Sequence, residues 1–173
     1  YIIFAIKIYL MNDYTKMAQS INGPDFICGG MSKSATEWLY DCFIKLDDFA
    51  MPSIKEFHHF EINRKLAFLN STALDTKKNR LKKKVERFKS RFDISRGKMQ
   101  RAKNWLNPDQ YSTFITNIEN YKESNFSNES YVKLFSFKGN KLSGDMSPSY
   151  HNLDIDEIKN IYNLLPNLKI IVL

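Results

Sequence analysis

The sequence predicts an α/β protein with a central parallel sheet flanked by helices. Three observations predict it. Phe26-Ile27-Cys28 and Leu168-Lys169-Ile170-Ile171-Val172-Leu173 are short apolar runs of the kind found in strands covered on both faces. A helical pattern follows the first run, and another leads straight into the second. Between the first run and its helix lies Gly29-Gly30-Met31-Ser32-Lys33-Ser34. Such a turn brings a helix N-terminus, and here a lysine, toward an anion.

A chain of 173 residues can form one domain with a sizeable core. Its 43 % apolar content, with 13 Phe and 9 Tyr, excludes the disordered class. The net charge of +7 favours an anionic ligand such as a nucleotide, a sulfated sugar or nucleic acid. Cys28 and Cys42 read as buried free thiols, in keeping with a reducing compartment. There is no C-x-x-C, and His58, His59 and His151 lack zinc-ligand spacing with either cysteine. No metal is implied.

Residues 1–23 read as a lead-in. The first ten, Tyr1-Ile2-Ile3-Phe4-Ala5-Ile6-Lys7-Ile8-Tyr9-Leu10, are apolar but too short to span a bilayer, and they lack the basic flank of a signal peptide. They are read as upstream translated sequence ahead of Met11. That implies a cytoplasmic protein without stable membrane insertion. The alternative is a truncated signal anchor and a Golgi-type lumenal location.

Residues 24–173 read as part of a single domain. Residues 25–30 form the first strand. Residues 34–47 form an amphipathic helix with Trp38, Leu39, Cys42, Phe43 and Leu46 at helical spacing. Phe49-Ala50-Met51-Pro52 is extended and stopped by its proline. Residues 54–61 mix charge and aromatics on a loop or short helix, and 62–75 are weakly helical. From Thr76 to Phe92 the chain is strongly basic. Leu81, Val85, Phe88 and Phe92 supply one narrow apolar stripe, so the segment predicts a docked surface helix. Its cations are either a solvated face or a clamp for a polyanion.

Asn107-Pro108 starts the next helix, with Tyr111, Phe114, Ile115 and Ile118 inside it. Residues 125–130 are a polar loop and 131–135 a short amphipathic piece. Residues 142–150 read as a short strand ending in a turn. Asp154 caps a further helix, with Glu157 as its capping-box partner. Ile155, Ile158, Ile161, Tyr162 and Leu165 make that helix's core stripe, and Pro166 ends it. Residues 168–173 are then a central parallel strand. A domain that stops on a central strand is physically incomplete, so the chain reads as a fragment, expected to have little activity on its own.

The lysine turn has a structural alternative, an ordinary strand-to-helix connection with a solvated lysine. It fails the triphosphate-loop pattern G-x-x-x-x-G-K-[ST], because Ile27 and Ser32 stand where the glycines belong. Its geometry is that of a shorter anion cradle.

Three stretches, in order, resemble the sulfotransferases that use 3′-phosphoadenosine 5′-phosphosulfate. The likeness is strongest to the branch acting on heparan sulfate and similar sugars, and to bacterial relatives. Residues 26–39 resemble the 5′-phosphosulfate loop K-[SG]-G-T-[TR]-x-L through Lys33, Ser34, Thr36 and Leu39. Residues 52–61 resemble K-E-x-H-F-F-D through Lys55, Glu56, His58 and Phe60, with Glu61 for the final Asp. Gly144-Asp145-Met146-Ser147-Pro148-Ser149-Tyr150 resembles G-E-[KA]-[ST]-P-x-Y. Residues 62–130 match poorly and read as a variable helical insert. Ala35 stands where the family has glycine, Glu37 where it has Thr or Arg, and Met146 where Lys is common. The family's Arg-Asp-Pro motif, which grips the 3′-phosphate, would begin after Leu173.

The resemblance implies a three-layer, P-loop-like fold and transfer of a sulfuryl group to a hydroxyl or amine. The implied partners are an anionic nucleotide donor and a small-molecule or carbohydrate acceptor, without nucleic acid or metal. Ser32, Lys33, Ser34, Ala35, Thr36, Glu37 and Trp38 would bind the donor. Lys33 would neutralise charge on the leaving phosphate oxygen. Glu56 would take the acceptor's proton as general base. His58 would orient Glu56 or touch the acceptor, with Lys55 and Ser147 beside it. Read without the resemblance, Lys55-Glu56 is a surface charge pair, the histidines are partly buried structural residues, and Ser147-Pro148-Ser149 is a turn.

Two rival classes remain at this stage. A kinase-like nucleotide-binding protein would need a magnesium carboxylate and the missing loop glycines. A non-catalytic polyanion-binding module would use the basic helix alone, though few aromatics interleave its lysines.

Overall fold

The computed structural model describes residues 23–30, 34–69, 75–93 and 97–173. The lead-in before Gly23, together with Ser32 and Lys33 of the cradle, lies outside the described residues.

Three short strands, β1 (Phe26–Cys28), β2 (Gly144–Asp145) and β3 (Lys169–Ile171), form a parallel sheet in the order β2-β1-β3. Phe26 pairs with Gly144 on one side and with Lys169 on the other. β1 is buried throughout, as its apolar run demands. Gly144 is required there, because a Cβ at this position would overlap the Phe26 ring. A parallel bridge between Phe49 and Leu142 continues the sheet beyond β2, and the 49–52 segment is extended as its proline requires.

Helices flank this sheet, so the α/β class holds. They are α1 (Thr36–Phe43), α2 (His59–Leu69), α3 (Asp75–Lys89), α4 (Gly97–Arg101), α5 (Pro108–Glu123), α6 (Asn128–Lys133) and α7 (Ile155–Leu164). Two of them start as their sequences dictate. The Asn107 side chain accepts from Gln110 N at 2.9 Å, the Gln110 side chain answers Asn107 N at 3.2 Å, and Pro108 opens α5. Asp154 Oδ1 accepts from Glu157 N at 2.9 Å and Glu157 accepts from Asp154 N at 2.9 Å.

Two apolar clusters hold the layers together. One lies under the sheet, with Phe26, Leu39, Phe43, Phe49 and Met51. The other joins the helices through Phe57, Phe88, Phe92, Phe114, Ile118, Tyr121, Phe126 and Tyr131. The stripe on the basic helix is real at Val85, Phe88 and Phe92, all buried. Residues 125–130 are more ordered than a polar loop. Asn125 and Phe126 take left-handed φ values of 52° and 62°, which drives Phe126 into the core, and Ser127 caps α6.

The C-terminal elements differ from expectation. Residues 168–173 do not form a central strand: β3 pairs only with β1 among the described residues, and Val172 is 75 % exposed. The α7 stripe buries only Ile161 and Leu165, leaving Ile155, 64 % exposed, and Ile158 and Tyr162 uncovered. Hydrophobic pattern records what a segment is suited to cover, not whether a cover is present.

A buried ion pair pins the other end of the sheet. Lys138 Nζ lies 2.7 Å from Asp25 Oδ2 and donates to Gly23 O at 2.8 Å, and Ser143 N donates to Asp25 Oδ2 at 2.8 Å. Removing one partner strands a buried charge, at a cost of about 3 to 5 kcal/mol. Lys138→Met is therefore expected to lower the unfolding free energy by about 3 kcal/mol in urea titration, whereas Lys141→Met, less than four residues away and half-buried, leaves it within about 0.5 kcal/mol.

Candidate functional site

The candidate site forms where two segments run side by side at the ends of β1 and β2. Lys55 O accepts from Met146 N at 3.2 Å. Phe57 N donates to Asp145 Oδ1 at 3.3 Å, His58 N to Ser147 Oγ at 3.0 Å, and His59 N to the Tyr150 hydroxyl at 3.0 Å. These bonds fix the backbone that carries Glu56 and His58.

Asp145 anchors the arrangement. It is fully buried, and its carboxylate accepts from Ser147 Oγ at 2.6 Å, Tyr150 OH at 2.6 Å, Tyr131 OH at 3.0 Å and Phe57 N. Burial pushes its pKa up, opposed by those hydrogen bonds. His59 serves the same scaffold. It is buried, stacked on Tyr131 at 3.9 Å, and bonded to the Tyr121 hydroxyl and Asn128. Burial holds its pKa down at about 3, so it is neutral.

A cleft of about 450 Å³ opens beside the paired segments, lined by Ala35, Thr36, Glu37, Lys55, Glu56, His58, Pro148 and Ser149. Residues from all three motif stretches thus meet at one surface. Ala35 precedes α1 in the left-handed region, with φ 59°. An alanine there is strained by about 1 kcal/mol relative to glycine. Thr36 and Glu37 open the helix, so their amides have no acceptor within it.

The charges in the cleft form a chain. Glu37 meets Lys55 at 2.6 Å, which neutralises the carboxylate that replaces the expected Thr or Arg. Glu56 Oε2 lies 3.0 Å from His58 Nε2 and 4.0 Å from the Arg91 guanidinium. Nδ1 of His58 is 2.7 Å from Ser149 Oγ and 3.7 Å from Glu61 Oε1. Burial opposes charge on His58, but the Glu56 and Glu61 carboxylates outweigh it and raise its pKa to about 9. The hydrogen bond to His58 holds Glu56 below the ordinary carboxylate range, and the nearby His58 imidazolium together with Lys65 at 3.1 Å holds Glu61 well below it. The site rests as an imidazolium between two carboxylates. The left-handed φ of 51° at His58 is held by these contacts at ring and backbone.

A second cleft of about 400 Å³ shares Glu37, Lys55 and Glu56 with the first and adds Arg91, Arg101 and Trp105. The two clefts meet at Glu56.

Ala35, Thr36, Glu37, Lys55, Glu56 and His58 therefore come together. Ser34 is half-buried just before them. Trp38 is 47 % exposed and is not among the residues lining either cleft. Ser147 does not reach the cleft: it is wholly buried, with its hydroxyl occupied by Asp145 and His58 N. Its place at the surface is taken by Ser149. Sequence reasoning missed the roles of Ser149, Glu61, Arg91 and Asp145. Glu61 carried a signal, since i+3 spacing from His58 at a helix start brings the two together.

Among the described residues no group of three or more His, Cys, Asp or Glu side chains is placed to hold a metal ion. No helix among them is long and apolar enough to cross a membrane. Neither a family model, nor a curated protein, nor a solved structure matches the chain.

The His58 charge has a measurable signature. Its folded pKa is raised above the ordinary value of 6.5, so its contribution to stability is fully present below pH 6.5 and lost as pH rises through about 9. Histidine-selective NMR is expected to show His58 titrating near pH 9 and His59 still neutral at pH 5. A His58 titration near 6.5 would dissolve the carboxylate–imidazolium chain.

Proposed function

We propose that this protein is a sulfotransferase that moves a sulfuryl group from 3′-phosphoadenosine 5′-phosphosulfate to a hydroxyl or amine of a carbohydrate acceptor. The observation that carries the reading is the meeting of residues 35–37, Lys55, Glu56 and His58, and residues 148–149 around one cleft. Three stretches far apart in sequence, each similar to a motif of that family, supply its walls.

The residues fit an anionic donor in part. The start of α1 offers amide donors and the positive end of a helix dipole, and the Thr36 side chain lines the cleft. The charged side chains described there nearly balance: Lys55 and His58 oppose Glu37 and Glu56. The donor's charge therefore calls for a further cation, the role assigned to Lys33.

In the reaction the bond between sulfur and the donor's phosphate oxygen breaks as a bond from sulfur to the acceptor oxygen or nitrogen forms. The acceptor proton passes to Glu56, and adenosine 3′,5′-bisphosphate leaves. His58 holds Glu56 ionised and oriented, which leaves the carboxylate free of its own proton. Its lowered pKa makes it a weak base. That suits a transfer governed by positioning and charge stabilisation, as in phosphoryl transfer.

The test is calorimetric binding of 3′-phosphoadenosine 5′-phosphosulfate to the chain. Binding is expected, and Lys33→Ala should weaken it by about tenfold or more, the scale of one charge-assisted hydrogen bond. Glu56→Gln should keep that binding and, in the complete protein, abolish transfer of labelled sulfate. No binding, or full affinity in Lys33→Ala, would overturn the reading.

A further inference from the structure

Glu37 and Lys55 form a border between the two clefts, because both side chains line each of them, together with Glu56. Their ion pair is unequal. The Lys55 side chain is 15 % exposed and its backbone is held by the bond from Met146 N. Glu37 is 77 % exposed on the first turn of α1. The ammonium is the fixed member and the carboxylate the one free to leave. Among the described residues neither makes another ion pair.

That carboxylate stands where an anionic ligand would. It belongs to the start of a helix and lies 2.6 Å from an ammonium, in the wall of a cleft that Thr36 also lines. The positive end of a helix dipole and a lysine are what an anion seeks. A ligand anion that joined Glu37 at the same ammonium would face a like charge at close range, so the two compete. A largely exposed ion pair contributes little to stability, and a ligand opens it at small cost. The apparent affinity of such a ligand is reduced by the fraction of molecules in which Lys55 is free.

We propose that Glu37 is an internal competitor of the donor: its carboxylate masks the Lys55 ammonium, and an incoming multiply charged anion displaces it and takes Lys55 as a binding cation. The identity of that anion rests on the sulfotransferase reading; the competition itself does not. Displacement also takes down the Glu37 side of the border between the clefts. The anion is then held by Lys55 with Glu56 on the same border, so the two clefts join at Glu56 only when the first is filled. Asp41 gives the contrast. It is one helical turn further along α1, lines the second cleft alone, and makes no ion pair among the described residues.

The test is calorimetric titration of the full chain with inorganic pyrophosphate at fixed salt. Glu37→Gln keeps the shape of an exposed side chain and removes its charge. It should tighten pyrophosphate binding about fivefold, the most that a largely exposed pair contributes. In a Lys55→Gln background the same substitution should change affinity by less than about twofold, and so should Asp41→Asn alone. The proposal is overturned by absence of pyrophosphate binding, by no gain in Glu37→Gln, by a gain that persists without Lys55, or by an equal gain in Asp41→Asn. Titration with 3′-phosphoadenosine 5′-phosphosulfate separates the two readings. A gain for pyrophosphate in a chain that does not bind the nucleotide keeps the competitor and removes the sulfotransferase. Nucleotide binding that Glu37→Gln leaves unchanged keeps the sulfotransferase and removes the competitor.

Discussion

Asp145 stands at the end of β2 with no solvent around it and four donors directed at it: a backbone amide, a serine and two tyrosines. A buried carboxylate is tolerable only when its lone pairs are occupied, and leaving such a group's partners unmatched costs about 1 to 3 kcal/mol each. The donors come from three different parts of the chain. Phe57 belongs to the segment carrying Glu56 and His58, Tyr131 to the helical layer, and Ser147 and Tyr150 to the turn after β2. One side chain therefore locks sheet, helices and cleft to each other. Ser147 and Tyr150 also pass the constraint on, by accepting the amides of His58 and His59. The cleft inherits its shape from this buried network.

Above the network the charges alternate. Glu37, Lys55, Glu56 and His58 succeed one another along the two clefts, with Glu61 behind His58 and Arg91 closing on Glu56. Each carboxylate has a cation beside it, and the His58 imidazolium has one on each side. Such a chain holds Glu56 deprotonated and fixed, a hydrogen-bond acceptor rather than a strong base. Glu37 fits the same logic. Its carboxylate at the start of α1 would repel an anion, but Lys55 is held against it at 2.6 Å. The Lys55 ammonium is in turn available to an anion only by leaving Glu37.

Local chemistry was legible in the sequence where it is self-contained. The capping boxes at Asn107 and Asp154 form as read, because a cap needs only residues three apart. β1 and the stripe of the basic helix were legible for the same reason. The grouping of Ala35, Glu56 and His58 followed from resemblance alone, since nothing local joins residues twenty positions apart. What failed depends on the rest of the fold. β3 and α7 have the pattern of buried elements but present much of it to solvent. In the Ser147-Pro148-Ser149 turn, the sequence does not say which serine faces inward; the choice was made by Asp145, which takes Ser147 and leaves Ser149 for His58. The left-handed turn at Asn125 and Phe126 was hidden because phenylalanine rarely adopts it.

The central claim is that Asp145 holds the strand of chain bearing Glu56 and His58 in place. Native-state hydrogen exchange on Asp145→Asn tests it most directly, because the amide variant keeps the shape and replaces an acceptor oxygen with a donor. The amides of Phe57, His58 and His59 are expected to lose protection together, while those of Phe114, Ile118 and Tyr121 in α5 retain theirs. Unchanged protection at the three site amides would contradict the account.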